Sequence, residues 1–198
     1  MRGGIVPKEV QHKLFDEGWA EVGYDLCFDC IEGRSSLITK PPIKSHLEQI
    51  AKFFGGDVAE HTFGCRASQF AVMKGVNDVA EDQKRKKIVI GDPNSHYSTS
   101  IAAEMCGLKI VEPPHTGYPE YRVTPDAIKD KIAEVGKPAL VAVTHADPYF
   151  GNIAPLKEIG EICYDKEIPF MINAAYTGGV IPINMKELKA DFLTLSAH

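Results

Sequence analysis

The most constraining feature of this 198-residue sequence is a series of short apolar runs, each separated from the next by a segment with helical spacing. Three of the runs, KIVIG, ALVAVTH and PFMIN, are continuous rather than alternating. Continuous apolar runs are typical of strands that are buried on both faces of a sheet. Because strands that alternate with helices form right-handed βαβ units, the sequence predicts a three-layer α/β/α fold with a mostly parallel sheet.

The bounds of the predicted elements follow from hydrophobic period, caps, and glycine or proline stops. In the third helix, Val72, Val76 and Val79 are expected on the inner face. Thr124 is expected to cap the fifth helix, with Pro125 at its first position. Helices are predicted over 8–15, 43–54, 66–79, 95–106, 124–135, 156–165 and 185–189, and strands over 59–63, 87–91, 108–112, 139–145, 169–173 and 191–196.

Charge and hydropathy exclude several classes of protein. The net charge of −5 argues against a general nucleic-acid coat, which needs a basic surface. The densest basic stretch, QKRKK at 83–87, is typical of a solvated turn before a strand. No apolar run reaches the roughly 18 residues of a membrane span, and the first residues lack the apolar core of a signal peptide. We therefore expect a cytoplasmic protein without a membrane partner.

The chain is expected to consist of an irregular arm over 1–42 and one larger domain over 43–198. The arm is rich in glycine, cysteine and charge, and it ends at a proline pair. It carries a CxxC motif, Cys27 and Cys30. The total of five cysteines is odd, which argues against a disulfide framework. Two of the remaining cysteines, Cys106 and Cys163, lie among apolar neighbours and are typical of small buried hydrophobes.

Polar and aromatic residues recur where the predicted strands end. Since ligands of open α/β sheets lie beyond the carboxyl ends of the strands, these residues locate a candidate site. They are Gly64, Cys65 and Arg66; Asp92, Asn94, Ser95, His96 and Tyr97; Asp147, Tyr149 and Asn152; Asn173 and Tyr176; and Ser196 and His198.

Three of these positions suggest a phosphorylated heterocycle. FGCR places backbone N–H groups and Arg66 at a helix start, which favours an anion, although a turn with a surface arginine has the same pattern. The ring of His96 could stack on a flat ligand, or could simply begin a helix. A buried Asn173 could bond a ring nitrogen, or satisfy a neighbouring loop. Together they describe a pyridoxal phosphate site, whose usual covalent partner is a lysine.

The motifs GCR, HYS, INAAY and LSAH resemble fold-type-I pyridoxal-phosphate enzymes of the cysteine desulfurase group. More narrowly, they resemble the archaeal O-phosphoseryl-tRNA:cysteinyl-tRNA synthase family. The resemblance implies the large domain of a fold-type-I transferase and a homodimer. It also implies phosphoseryl-tRNA(Cys) as substrate and phosphoseryl-tRNA synthetase as a further partner. In that family, phosphate is eliminated to give a dehydroalanyl intermediate, and sulfur from a cysteine persulfide then adds to give cysteinyl-tRNA.

The resemblance also implies roles for individual residues. Cys65 and Arg66 match the loop that binds the cofactor phosphate, and His96 matches the ring-stacking catalytic position. Asn173 matches the residue that faces the pyridine nitrogen, where desulfurases have an aspartate. Tyr176 is a looser candidate for the surroundings of the cofactor. The triplet that precedes the Schiff-base lysine in the family corresponds to Ser196, Ala197 and His198.

The CxxC motif matches the cysteine pair that the family uses in sulfur transfer. Cys27 and Cys30 are therefore expected to carry a persulfide or to ligate an iron–sulfur cluster, the alternative being two ordinary buried thiols. Zinc would need two further ligands, and no second CxxC is present. Pro148 and Tyr149 depart from the family pattern, which weakens the assignment of Tyr149 and Asn152 to the cofactor.

Two other functions compete with the tRNA-dependent synthase. One is a cysteine desulfurase or lyase that acts on a free amino acid. The other is an inactive fragment that serves as a scaffold for a partner protein or tRNA. The sequence stops at His198, where the resemblance places the lysine at the next position. We therefore expect the large domain to be incomplete and this chain by itself to lack turnover.

Overall fold

The computed structural model describes residues 7–16 and 43–196, which fall into two compact units with a boundary between Glu60 and His61. In the first unit, helix α1 spans Lys8–Asp16 and helix α2 spans Ile43–Phe53. Both helices confirm the prediction. The expected division into an arm over 1–42 and a domain over 43–198 falls at residues outside the described ranges and stays a prediction.

The second unit alternates helices and strands in the predicted order. Thr124 caps α5 as expected, since its side chain accepts a hydrogen bond from the N–H of Ala127 at 3.2 Å. The elements are α3 (Cys65–Ala80), β1 (Lys86–Gly91), α4 (Ser98–Met105), β2 (Lys109–Val111), α5 (Pro125–Val135), β3 (Pro138–Thr144), α6 (Leu156–Asp165), β4 (Phe170–Asn173) and β5 (Phe192–Thr194).

The strands form one parallel sheet in the order β2-β1-β3-β4-β5. The chain runs outward from β1 to β2, then returns past β1 to β3 and continues in the opposite direction. With right-handed crossovers, this reversal places α4 on one face of the sheet and α5 and α6 on the other. α3 packs with α4, and α5 packs with α6. The direction of the connections therefore reverses between β1 and β3, where open α/β sheets form a ligand crevice.

Burial in the core follows the continuous apolar runs. Every residue of β3 and of β4 is buried, as the sequence predicts for central strands. The inner face of α3 differs from the prediction. Val76 is buried, but Val79 is 41% exposed and the buried stripe contains two polar or weakly polar members. The stripe comprises Cys65, Gln69, Met73, Val76 and Ala80.

Two predicted elements are wrong. Residues 59–63 do not form a strand, and Phe63 is fully exposed. The alternation of that segment has no neighbouring strand to pair with, and Thr62 instead donates a hydrogen bond to the carbonyl of Gly64 at 3.0 Å. Residues 185–189 form a turn rather than a helix. In this turn the backbone N–H of Lys186 donates to the side-chain oxygen of Asn184 at 3.1 Å.

Two cysteines behave as the sequence predicts. Cys106 is 6% exposed and Cys163 is fully buried, and both are free thiols. Burial raises the pKa of the Cys163 thiol to about 12 and also raises the pKa of Cys106. Both thiols are therefore packing groups of the core.

Candidate active site

The predicted site residues gather at the carboxyl edge of the sheet. Asp92 follows β1, Asp147 lies in the loop after β3, and Asn173 ends β4. The strand register places Thr144 opposite Asn173, and Asn173 opposite Thr194 of β5. Parallel pairing therefore fixes three polar side chains in a row, which the spacing of the strands along the sequence does not reveal.

The start of α3 provides backbone donors and a cation. Gly64 precedes the helix with φ of 91°, a conformation that favours glycine, and no described side chain caps it. The first helical bond runs from the N–H of Ser68 to Gly64, so the N–H groups of the first turn are available to a ligand. Arg66 is exposed beside them, and its guanidinium donates to the Tyr97 hydroxyl and lies 5.0 Å from the ring centroid. This arrangement suits an anionic group.

Cys65 connects α3 to the ends of β4 and β5. Its thiol lies 3.4 Å from Asn173 Oδ1 and 3.4 Å from Thr194 Oγ1. Asn173 is 4% exposed, and its Oδ1 also accepts from the N–H of Ala175 at 3.1 Å. Two residues predicted for separate roles, Cys65 and Asn173, are thus in direct contact, and the carbonyl end of the amide is held by the protein.

His96 lies in the loop between β1 and α4. Its Nδ1 accepts from the N–H of Ser98 at 3.2 Å and lies 2.9 Å from the Ser98 hydroxyl. Its ring is 4.1 Å from that of Tyr97, tilted by 37°. Helix α4 begins at Ser98, three residues later than predicted, because Ser95 closes a turn onto the carbonyl of Asp92 instead.

A buried polar group that sequence reasoning missed lies between these residues. Gln69 is 1% exposed and contacts Cys65, Ser98 and Thr99. Its position four residues from both Cys65 and Met73 places it on the inner stripe of α3. A glutamine at a core position of an amphipathic helix is the signal that could have identified it, since buried amides need partners.

A cleft of about 240 Å³ opens at the reversal point between β1 and β3. Its polar lining is largely buried. Asp92 is 4% exposed and Thr144 is 4% exposed, and the Thr144 hydroxyl has no hydrogen-bond partner among the described residues. The cleft is also lined by Asn94, Arg122, Val123, Thr124, Pro125, Asp147, Asn152, Ile153, Ala154 and Pro155.

The two carboxyl groups of the cleft differ in their surroundings. Burial raises the pKa of Asp92 to about 6, although hydrogen bonds from the N–H groups of Asn94 and Thr144 lower it in part. Burial would also raise the pKa of Asp147, but hydrogen bonds from the N–H groups of Phe150 and Asn152 outweigh it and lower the pKa. Asp147 is therefore the ionised anchor of its loop, whereas Asp92 changes charge near pH 6.

The loop after β3 is folded around Asp147. Its Oδ1 accepts from the N–H of Tyr149 at 2.9 Å, and its Oδ2 accepts from the N–H of Asn152 at 2.9 Å. The Asn152 side chain donates to the carbonyl of Glu120 at 2.8 Å, and Tyr149 is 61% exposed. The same loop begins with His145, whose pKa is lowered by burial and whose Nδ1 lies 2.9 Å from the Thr177 hydroxyl.

The remaining predicted residues are less constrained. Tyr176 is 50% exposed, and Ser196 is half-buried two residues after β5. Cys27, Cys30, Ala197 and His198 lie outside the described residues. Within the described ranges, no group of three or more histidine, cysteine, aspartate or glutamate side chains is placed to hold a metal ion. None of the helices described is long and apolar enough to cross a membrane.

Comparison with known proteins gives a family and several relatives. Residues 41–198 match the aminotransferase class-V family. The chain is 38% identical over its whole length to the O-phospho-L-seryl-tRNA:Cys-tRNA synthase 2 of Archaeoglobus fulgidus, covering 49% of that protein. The chain thus spans about half the length of the curated relatives it matches.

Two solved structures share the fold over nearly the whole chain. The first is the complex of SepCysS with the SepCysE N-terminal domain, with a TM-score of 0.79 and 38% identity over 100% of this chain and 49% of the other. The second is an apo cysteine desulfurase from Thermococcus onnurineus, with a TM-score of 0.73 and 25% identity over 98% of this chain and 48% of the other.

Proposed function

The chain belongs to the aminotransferase class-V family, and on that premise we propose that it serves in the pyridoxal-phosphate-dependent conversion of O-phosphoseryl-tRNA(Cys) to cysteinyl-tRNA(Cys). The observation that carries the proposal is the 38% identity, over the full length of this chain, to an archaeal relative named for that reaction. The reaction would eliminate phosphate from the seryl group and add sulfur in its place.

The residues at the sheet edge fit pyridoxal phosphate. The free N–H groups at the start of α3 and the exposed guanidinium of Arg66 suit the phosphate. The ring of His96 supplies an aromatic face at the end of β1. Asn173 has its Oδ1 bound by Ala175 and Cys65, so that its Nδ2 is the group left to bond a ring nitrogen. This set of donors matches an anion attached to a flat, nitrogen-containing ring.

When bound, pyridoxal phosphate supplies an electron sink for the carbanion that forms when the substrate loses its α-proton. The protein residues bind and orient. Arg66 and the N-terminus of α3 would anchor the phosphate, and His96 would hold the ring from one face. Asn173 would donate a hydrogen bond through Nδ2 without placing a charge beside the ring nitrogen. Tyr176 and the triplet Ser196, Ala197 and His198 are proposed as further contacts to the cofactor.

Asn173 bears on the choice between two activities. The similarity to a cysteine desulfurase supports a second candidate function, release of sulfur from free cysteine. An uncharged amide stabilises a protonated ring nitrogen less than an aspartate does, which weakens the electron sink. Elimination of phosphate, a good leaving group, tolerates a weaker sink than carbanion chemistry on cysteine. The amide therefore favours the tRNA-dependent reaction.

The sulfur is proposed to come from Cys27 and Cys30, which would carry it as a persulfide or ligate an iron–sulfur cluster. A persulfide on one cysteine would add its outer sulfur to the dehydroalanyl group and form a mixed disulfide. The thiol of the other cysteine would reduce that disulfide and release cysteinyl-tRNA, and an external thiol reductant would reopen the resulting Cys27–Cys30 disulfide. A homodimer, an assembly with phosphoseryl-tRNA synthetase and a cytoplasmic location are proposed with the same reaction. The relative solved in complex with the SepCysE N-terminal domain supports an assembly with other proteins. Native mass spectrometry before and after reductant would show sulfur adducts on the two cysteines if they carry persulfide.

The test is a comparison of two substrates with the full-length protein. Phosphoseryl-tRNA(Cys) with sulfide is expected to give cysteinyl-tRNA(Cys), identified after hydrolysis of the aminoacyl ester. Free cysteine is expected to give little alanine under the same conditions. Formation of alanine without any cysteinyl-tRNA would contradict the proposal and establish the desulfurase activity instead.

A further inference from the structure

A chain of buried hydrogen bonds crosses the candidate site through a single side chain, Gln69. Its Nε2 lies 3.4 Å from Ser98 Oγ and 3.7 Å from Cys65 Sγ, and its Oε1 accepts from Thr99 Oγ1 at 2.7 Å. A primary amide has two N–H hydrogens and one carbonyl. Both hydrogens are therefore directed to different parts of the site, and the carbonyl contact with Thr99 fixes which way round the amide lies.

The contact with Ser98 determines the tautomer of His96. The backbone N–H of Ser98, which can only donate, points to His96 Nδ1 at 3.2 Å. Nδ1 is therefore the unprotonated nitrogen, and a neutral ring carries its hydrogen on Nε2. The Ser98 hydroxyl, 2.9 Å from the same Nδ1, then donates to it and accepts from Gln69.

The contact of Gln69 with Cys65 helps to orient the side chain of Asn173 at the other side of the site. The Cys65 sulfur accepts from Gln69, and its hydrogen lies toward Asn173 Oδ1 or Thr194 Oγ1, each at 3.4 Å. Asn173 Oδ1 is also bonded by the N–H of Ala175. These two contacts keep the carbonyl end of the amide turned toward the protein, so that the donor Nδ2 is presented at the sheet edge.

We propose that Gln69 is the positioning residue of this site. Through the Ser98 hydroxyl it adds to the preference for the Nε2–H tautomer of His96 that the Ser98 backbone N–H sets, and through Cys65 it holds the Asn173 amide with Nδ2 outward. The proposal rests on the proposed function only in assigning the two groups to a pyridoxal ring. The Asn173 amide would then offer a hydrogen-bond donor, which suits a ring whose nitrogen is an acceptor. One buried amide would thus coordinate the stacking ring and the nitrogen partner, which lie 77 residues apart.

The test measures the tautomer of His96 in the chain without cofactor, by ¹⁵N chemical shifts of the labelled ring. Gln69→Leu keeps the approximate volume and removes all three hydrogen bonds. The ratio of Nδ1–H to Nε2–H ring is expected to rise roughly fivefold, the bias that one hydrogen bond typically gives. Gln49→Leu, at an exposed glutamine of α2, is the matched control and should leave the ratio unchanged.

Ser98→Ala tests the path of the effect. It removes the hydroxyl that relays Gln69 to His96 and keeps the backbone N–H. The same rise in the ratio of Nδ1–H to Nε2–H ring is expected. The double variant Gln69→Leu with Ser98→Ala should show no larger rise than either single variant. A folded Gln69→Leu chain with the wild-type ratio would overturn the proposal. If that variant does not fold, an unchanged ratio in Ser98→Ala would overturn it.

The result can be separated from that of the proposed function because no cofactor is present. A titration of the full-length protein with pyridoxal phosphate supplies the second arm. Failure to bind the cofactor, together with the expected change in tautomer, would refute the proposed function and leave the positioning role of Gln69 intact. Binding of the cofactor, together with an unchanged tautomer ratio in both variants, would refute the positioning role of Gln69 and leave the proposed function intact.

Discussion

At the scale of single residues, the buried polar groups of the sheet edge divide by whether the protein satisfies them. The carboxylate of Asp147 and the amide of Gln69 are bonded on all sides by described residues. The Thr144 hydroxyl is buried and has no partner among those residues. An unsatisfied buried hydroxyl costs stability, whereas a satisfied one contributes to it. Thr144 and Thr99, which are 4% and 2% exposed, therefore allow a direct comparison.

Thr144→Val is expected to stabilise the chain by about 1 kcal/mol, because it removes an unpaired hydroxyl without changing shape. Thr99→Val is the matched control. Its hydroxyl donates to Gln69 at 2.7 Å, so its loss is expected to destabilise the chain by about 1 kcal/mol. Urea unfolding followed by circular dichroism measures both. A Thr144→Val chain less stable than wild type would show that the hydroxyl is bonded in solution.

Asp92 predicts a dependence of stability on pH. Burial raises the pKa of its carboxyl to about 6 from an ordinary value of 3.8, so that between these values the folded state holds a proton that the unfolded state has lost. The stability that this group contributes is present below about pH 4 and is lost as the pH rises to about 6. Asp92→Asn has no such titration, and its stability relative to wild type should increase over that window.

The measurement is the free energy of unfolding of both proteins at several pH values from 4 to 7. The difference between them is expected to change across the window and to level off above it. A difference that is constant with pH would mean that Asp92 titrates alike in the folded and unfolded states.

At the scale of elements, continuous apolar runs and caps were sufficient to predict nine of the helices and strands of the second unit. The two errors there have a physical cause. Residues 59–63 alternate like a strand but have no pairing partner, and residues 185–189 are too short to hold a helix against side-chain bonds from Asn184. The buried stripe of α3 was also missed, because the valine repeat at helical spacing indicates a face that shares only Val76 with that stripe.

The sequence predicted those candidate site residues that belong to short motifs, but not the contacts between residues far apart in the chain. His96 and Asn173 were identified from strands that the structure confirms, whereas the strand predicted before Cys65 and Arg66 does not form. Cys65 and Arg66 were identified instead from the glycine at a helix start. The contact of Cys65 with Asn173 joins residues 108 apart and depends on the order of the strands. Gln69 has no motif of its own. Its role becomes visible only when α3 is packed against α4 and the strand ends.

Two glycines in helices test how closely the elements pack. A Cβ on Gly160 of α6 would lie 1.9 Å from the carbonyl oxygen of Leu188, whereas a Cβ on Gly75 of α3 meets nothing within 4 Å. Gly160→Ala is expected to destabilise the chain by about 2 kcal/mol or more through overpacking. Gly75→Ala is expected to stabilise it by about 0.5–1 kcal/mol through the better helix propensity of alanine. Thermal and urea unfolding would rank the two variants, and equal effects would contradict the packing described.

At the scale of the whole molecule, the topology explains why one sheet edge holds both a candidate cofactor site and a separate cleft. The reversal between β1 and β3 opens the cleft around Asp92 and Thr144. The start of α3, contacting β4 and β5 through Cys65, forms the candidate cofactor site. The chain belongs to the aminotransferase class-V family, and we propose the second of these places as its pyridoxal-phosphate site.

The most direct test of this account is a titration of the ¹⁵N-labelled chain with pyridoxal phosphate, followed by the backbone amide signals. We expect the amides of Cys65, Arg66 and Ala175 to shift first, and Arg66→Gln to weaken the binding. Arg85→Gln, at a half-buried arginine bonded to the carbonyl of Glu167, should leave the binding unchanged. Shifts confined to the cleft around Asp92 and Thr144, or equal binding by both arginine variants, would contradict the account.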